Sequence, residues 1–226
     1  ADYFRFNNLA ITSSGSLNYG VGVHLYNASN HNTFDSCSIT APQNFGNATL
    51  GFVISTDPTN ASTSGSFVSG DSNLVRNSTI DGGYNNAFIL GGSTAVASGN
   101  VFDRTSFTNA YANGINVEHQ NNLIITNSEF TRPTRTSITS YVGIRAESDV
   151  SNSLFEKNHI HNPAAANTSS TASQIAFYLN ANPTAGNENV VVNNLIEDFD
   201  RRLSLRRIPE SIVQLFTKEF QRSRST

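Results

Sequence analysis

Apolar side chains recur along the chain in a fixed frame. In "NNLIITNSEFTRP" (121–133), Ile125 and Phe130 stand five residues apart across a polar interval. The same spacing joins Phe6 to Ile11 (FNNLAIT), Phe34 to Ile39 (FDSCSIT), Val75 to Ile80 (VRNSTID) and Phe102 to Phe107 (FDRTSFT). It returns at Phe155 and Ile160 (FEKNHIH) and at Val191 and Ile196 (VVNNLIE). A second short element precedes most copies: GVHL (22–25), GFVI (51–54), AFIL (87–90), GINV (114–117), GIRA (143–146) and AFYL (176–179). Each is read as small, apolar, any, apolar. That is the period of a strand with one face inward.

The copies lie between 23 residues apart (102 to 125) and 41 residues apart (34 to 75). The longer units carry polar insertions at 56–72 and 162–174. Constant strands with variable polar inserts predict a solenoid whose loops leave from fixed corners. Each coil must turn sharply between short strands. Asn tolerates the left-handed backbone region and bonds neighbouring peptide groups. Asn8, Asn77, Asn127 and Asn193 share one template position, which predicts a ladder of stacked amides there, interrupted by Ser36, Arg104 and Lys157.

The repeated frames over residues 4–199, "N-x-apolar" and "GI-x-apolar", resemble the right-handed parallel β-helix repeat family, an architecture shared with pectate-lyase-like proteins. Within it, NSEFTRPTRTSITSYVGIRAE, FEKNHIHNP and AGNENVVVNNLIEDF resemble repeats of large secreted bacterial surface proteins. The resemblance implies an all-β, right-handed parallel β-helix of about seven coils, secreted or on the cell surface. No catalytic residue carries over from it. The Asp clusters of calcium-dependent pectate lyases are absent, as are the paired aspartates and His-Gly of polygalacturonases and a DPHD-like epimerase motif.

The pattern holds over residues 1–200 and stops at 201–226. That basic tail loses Asn and Gly and holds half of the 14 Lys and Arg. It reads as an amphipathic capping helix with Ile212, Leu215, Phe216 and Phe220 on one face, as a basic arm for anionic partners, or as non-native sequence. Charge over the whole chain is sparse, 14% with a net of -3, which argues against a nucleic-acid-binding face. No window has the ~20 apolar residues of a membrane span. There is no Met and no signal-peptide pattern, so the chain reads as a mature piece or a fragment. The first coil, Phe4–Thr12, lacks a cap and suggests further coils of a longer parent chain. Cys37, the single cysteine, is expected as a small buried residue. Five N-x-S/T sequons (Asn27, Asn47, Asn60, Asn77, Asn167) match what chance gives in so Asn-rich a chain.

Alternation selects two outward faces with chemistry. On the first, Asn116 should lie beside Arg145 and Glu118 beside Glu147, with Tyr178 and Asn180 on the next coil. A ring to stack on and polar groups for hydroxyls suit a saccharide. Paired carboxylates also suit acid–base work on a glycosidic bond, and a plain solvated face suits them as well. On the second, Glu129 should lie beside His159 and Thr131 beside His161, with Arg132 and Arg135 in the loop leaving that corner. Glu, His and Arg together could abstract a proton next to a uronate carboxyl. The two histidines of HIH share a face but show no evident third ligand, so neither metal nor other cofactor is expected. The reading is a structural or polysaccharide-contacting segment. The alternative is a polysaccharide lyase, epimerase or hydrolase with a groove walled by loops 132–142 and 162–174.

Overall fold

The computed structural model describes residues 1–14, 19–44, 46–57 and 68–199. The tail readings at 201–226 lie outside the described residues. The five-residue frame becomes two strands of three residues each, with its two apolar side chains at their centres. The leading strands, Arg5–Asn7, Thr33–Asp35, Leu74–Arg76, Val101–Asp103, Ile124–Thr126, Leu154–Glu156 and Val190–Val192, form one seven-stranded sheet. The trailing strands form a second: Ala10–Thr12, Ser38–Thr40, Thr79–Asp81, Ser106–Thr108, Glu129–Thr131, His159–His161 and Leu195–Glu197. The longer strands make a third sheet of six: Tyr19–Tyr26, Ala48–Ser55, Asn85–Leu90, Asn113–Glu118, Tyr141–Glu147 and Gln174–Asn180. Pairing within these sheets is parallel, so each coil stacks on the one before and the chain winds as a right-handed β-helix.

The interior is a set of apolar columns. Phe34, Phe102, Phe155, Ile39, Phe107, Phe130 and Ile160 are at most 2% exposed. Phe107 and Phe130 stack at 4.5 Å between ring centroids, one above the other on successive coils. Burying one such side chain stabilises the fold by about 1.5–3 kcal/mol. The long strands pass so close to the second sheet that a β-carbon on Gly51 would meet Ile80 at 2.4 Å and the Asn86 carbonyl at 2.5 Å. Glycine at the equivalent positions 22, 114 and 143 makes room for the same approach.

The predicted turn position is confirmed, and the predicted ladder is not where it was expected. Asn8, Ser36, Asn77, Arg104, Asn127, Lys157 and Asn193 all adopt positive φ, from 47° to 57°. They supply the left-handed corner, and Asn8, Asn77 and Asn127 are exposed. Asn77 and Asn127 donate to Asp35 and Asp103 rather than to one another. The buried ladders sit one residue further on. At this corner Cys37 N–H donates to Ser78 Oγ, Thr105 N–H to Ser128 Oγ, Ser128 N–H to Asn158 Oδ1 and Asn158 N–H to Asn194 Oδ1. At the other corner Asn32 donates to Asn73, Asn73 to Asn100 and Asn100 to Gln120. A left-handed residue directs the next side chain inward, where its amide or hydroxyl satisfies the peptide group of the coil before it.

One strand lies in a different register from that expected. Ala87 pairs with Phe52 and Ile115, and Ile89 with Ile54 and Val117. AFIL is therefore shifted by one, with Ala87 and Ile89 inside and Phe88 and Leu90 on the outer face. Both faces of this strand are buried, which removes the polar alternation that would have fixed its register.

Candidate functional site

The third sheet holds the first candidate face on three successive coils. Asn116 pairs with Arg145 and Glu118 with Glu147; Arg145 then pairs with Tyr178 and Glu147 with Asn180. Arg145 donates Nε to Glu147 Oε2 at 2.6 Å and its NH2 group to Oε1 at 2.9 Å. Its guanidinium lies 4.9 Å from the centre of the Tyr178 ring. The Glu147 hydrogen bonds, then its charge and those of Tyr178 and Glu118, raise the Arg145 pKa against the opposing effect of burial. Asn116 Nδ2 donates to Glu118 Oε1 at 3.3 Å, while its buried Oδ1 has no partner. Both oxygens of Glu147 are clasped by a guanidinium, so it stands as a fixed acceptor and not as a proton donor.

The second sheet carries the other face. Glu129 pairs with His159, and His161 with Glu197. The close contacts run diagonally across these pairs. His161 Nε2 is 2.9 Å from Glu129 Oε1, and His159 Nε2 is 2.6 Å from Glu197 Oε1. The two imidazoles stack at 3.9 Å with 15° between their planes. Ser106 Oγ donates to Glu129 Oε2 at 2.9 Å, and the Asn162 amide lies 2.8 Å from His161 Nδ1. Burial raises the Glu129 carboxyl, but hydrogen bonds from His161 and Ser106, with the nearby imidazole charges, outweigh it and hold the group below its usual range. Glu129 supplies the further donor group that the HIH pair lacked in the sequence and that could help hold a metal ion. One donor atom each from Glu129, His159 and His161 lies within 4.8 Å of the others. Glu197, Ser106 and Asn162 were missed, although Glu197 closes the frame VVNNLIE in the column of His161.

Three expectations for this corner are corrected. Arg132 and Arg135 do not face the histidines; they are 0% and 1% exposed. Arg132 donates to the Pro163 and Tyr111 carbonyls and to Gln174 Oε1, with its guanidinium 4.3 Å from the Tyr141 ring centre. Arg135 donates to the carbonyls of Ser137, Asn109, Gly83 and Asn44. Burial lowers both to about 10, so they remain charged at neutral pH. Carbonyl oxygens solvate these cations: Arg132 ties the 132–140 loop to Pro163 of the next loop and Arg135 ties it to earlier coils, instead of leaving a groove with free arginines. Thr131, expected to face outward beside His161, is buried where those loops leave the sheet. Cys37 is buried as expected.

A shallow groove of about 310 Å³ on the first sheet is lined by Arg5, Asn7, Thr33, Asp35, Leu74 and Arg76. No helix among the described residues is long and apolar enough to cross a membrane.

The family model described as "Right handed beta helix region" matches residues 59–203. No curated protein matches the chain. Among solved structures, the crystal structure of pectate lyase Pel9A is similar over 88% of this chain and 52% of its own, at 14% identity and a TM-score of 0.42. The chain thus spans about half the length of that protein.

Proposed function

The chain belongs to the right-handed β-helix family, and from that premise we propose that it is a rigid, polysaccharide-contacting segment of a secreted or cell-surface protein. The observation that carries this reading is the Tyr178–Arg145–Glu147 arrangement, continued by Asn116, Glu118 and Asn180 on neighbouring coils. An aromatic ring beside fixed donors and acceptors offers a sugar both a stacking surface and partners for its hydroxyls. Coils repeat at roughly 4.8 Å, so the face offers an extended polymer a row of contacts and not a single pocket.

The test incubates the whole chain with acidic and neutral polysaccharides and reads retention and product release together. The expected result is retention without new reducing or unsaturated ends, reduced at least tenfold in Tyr178→Ala and Arg145→Ala. Absence of retention on every polymer sinks the reading. The alternative is a lyase, epimerase or hydrolase. It draws support from the Glu129–His161 contact, which sets a carboxylate against an imidazole. Hydrolysis by Glu118 and Glu147 is disfavoured by the Arg145 clasp. Product release that survives Glu129→Gln and His159→Ala removes the alternative from this face.

A further inference from the structure

We propose that Glu129, His159 and His161 form a binding site for a first-row divalent transition-metal ion, with Zn²⁺ the ion that best suits the donors. Two imidazoles and one carboxylate are the ligand types of open, three-ligand zinc sites. Imidazole selects zinc, copper or nickel over calcium and magnesium, which take all-oxygen shells. The scaffold is rigid. Alternate residues of one strand share a face, so His-Ile-His projects both rings outward, and Glu129 stands on the adjoining strand of the preceding coil. The donor atoms already lie within 4.8 Å of one another. Tetrahedral bonds of about 2.0–2.2 Å require donor separations of about 3.3 Å, so closure asks only side-chain movement.

The surroundings supply what such a ligand set needs. Ser106 holds one oxygen of Glu129, and the other, 2.9 Å from His161 Nε2, turns to the ion when that nitrogen gives up its proton and ligates. If His159 donates its Nε2 proton to Glu197, its second ring nitrogen keeps a lone pair. That is the carboxylate–histidine support seen around metal sites. With the Asn162 amide turned over, its Oδ1 accepts a hydrogen bond from His161 Nδ1–H, which leaves the Nε2 lone pair for the metal. The side chains of His159 and Glu129 are 37% and 45% exposed, which keeps an entry path and a fourth coordination position open to water or to a ligand oxygen. The site is thus one that loads and unloads without unfolding the coil.

The experiment titrates the whole, chelator-treated chain with Zn²⁺ and follows the ring resonances of the histidines alongside calorimetry. One equivalent should bind, shifting His159 and His161 before His24, His31 and His119. His161→Gln and Glu129→Gln should each weaken binding at least tenfold, and Ser106→Ala several-fold. Circular dichroism of each variant checks folding. The ring shifts in the unmodified chain carry the test if a variant fails to fold. Binding below one equivalent, shifts led by other histidines, or affinity unchanged in His161→Gln overturns the proposal. None of these outcomes bears on the polysaccharide reading, which rests on a different sheet.

Discussion

The outer face of the third sheet is two surfaces on one scaffold. On its earlier strands, Val53, Phe88 and Leu90 point away from the solenoid interior yet are at most 6% exposed, and with Leu50 they form an apolar cluster of their own. On its later strands the same columns carry Asn116, Glu118, Arg145, Glu147, Tyr178 and Asn180. Backbone pairing is the same in both halves. The inward columns are also alike: Phe52, Ala87, Ile115 and Ile144 run through them without a break. Only burial of the outer face differs, and residue chemistry follows it. A covered face turns apolar, while an open one keeps the polar side chains that a ligand can use.

The strongest test of this contrast removes one ring from each half. Phe88→Ala deletes a buried ring and should cost about 3–5 kcal/mol. For a chain of this size that lowers the unfolding midpoint by roughly 6–20 °C. Equal loss from Tyr178→Ala would break the contrast, because Tyr178 is expected to matter for binding and not for folding. Scanning calorimetry of the two variants side by side decides it.

The contrast also explains how far the sequence could be read. The columns Phe34–Phe102–Phe155 and Ile39–Phe107–Ile160 were legible because the inward side chains recur at a fixed five-residue spacing with polar neighbours, apart from Val101 and Leu154. The face carrying Glu118, Arg145 and Glu147 was legible for the same reason, and its register is the expected one. Phe88 was misassigned because both sides of its strand are apolar, so a shift by one residue looks equally good. The amides were misplaced because exposed Asn77 and buried Asn73 are the same residue type at adjacent corners; only the backbone turn tells which enters the interior. Arg132 and Arg135 were read as surface groups because charged side chains are rarely buried, and the carbonyls that receive them come from coils distant in sequence.

Asn73 and Asn77 give the next sharpening. Asn73 Oδ1 accepts from both the backbone and side-chain nitrogens of Asn32, each at 3.0 Å. Asn73→Ala leaves a buried N–H unpaired and should cost about 1–3 kcal/mol. Asn77→Ala loses contacts on an exposed corner and a residue suited to positive φ, and should cost less. A reversed order in chemical denaturation would place the ladder back at the exposed position. Tyr178→Ala and Glu147→Gln come after these, at under about 1 kcal/mol of stability each. Their readout is retention on polysaccharide at unchanged midpoint.

The smallest effect tests whether coverage, rather than position along the stack, separates the two surfaces. Asp35 belongs to the same early coil as Val53 but lies on the first sheet, whose outer face is open there. It accepts from Asn77 Nδ2 and Ser36 Oγ on one oxygen and from Arg76 on the other. The Asn77 hydrogen bond, then the Arg76 hydrogen bond and charge, lower its pKa. A carboxyl whose pKa is lower folded than unfolded adds stability above the unfolded value, near 3.9, and loses it as pH falls through the folded one. At neutral pH, Asp35→Asn should therefore move the midpoint only slightly, as exposed pairs do. Between about pH 5 and 3 the unmodified chain should lose more of its midpoint than the variant. A large neutral-pH loss in Asp35→Asn would mean that this face is as deeply committed to packing as the one holding Val53.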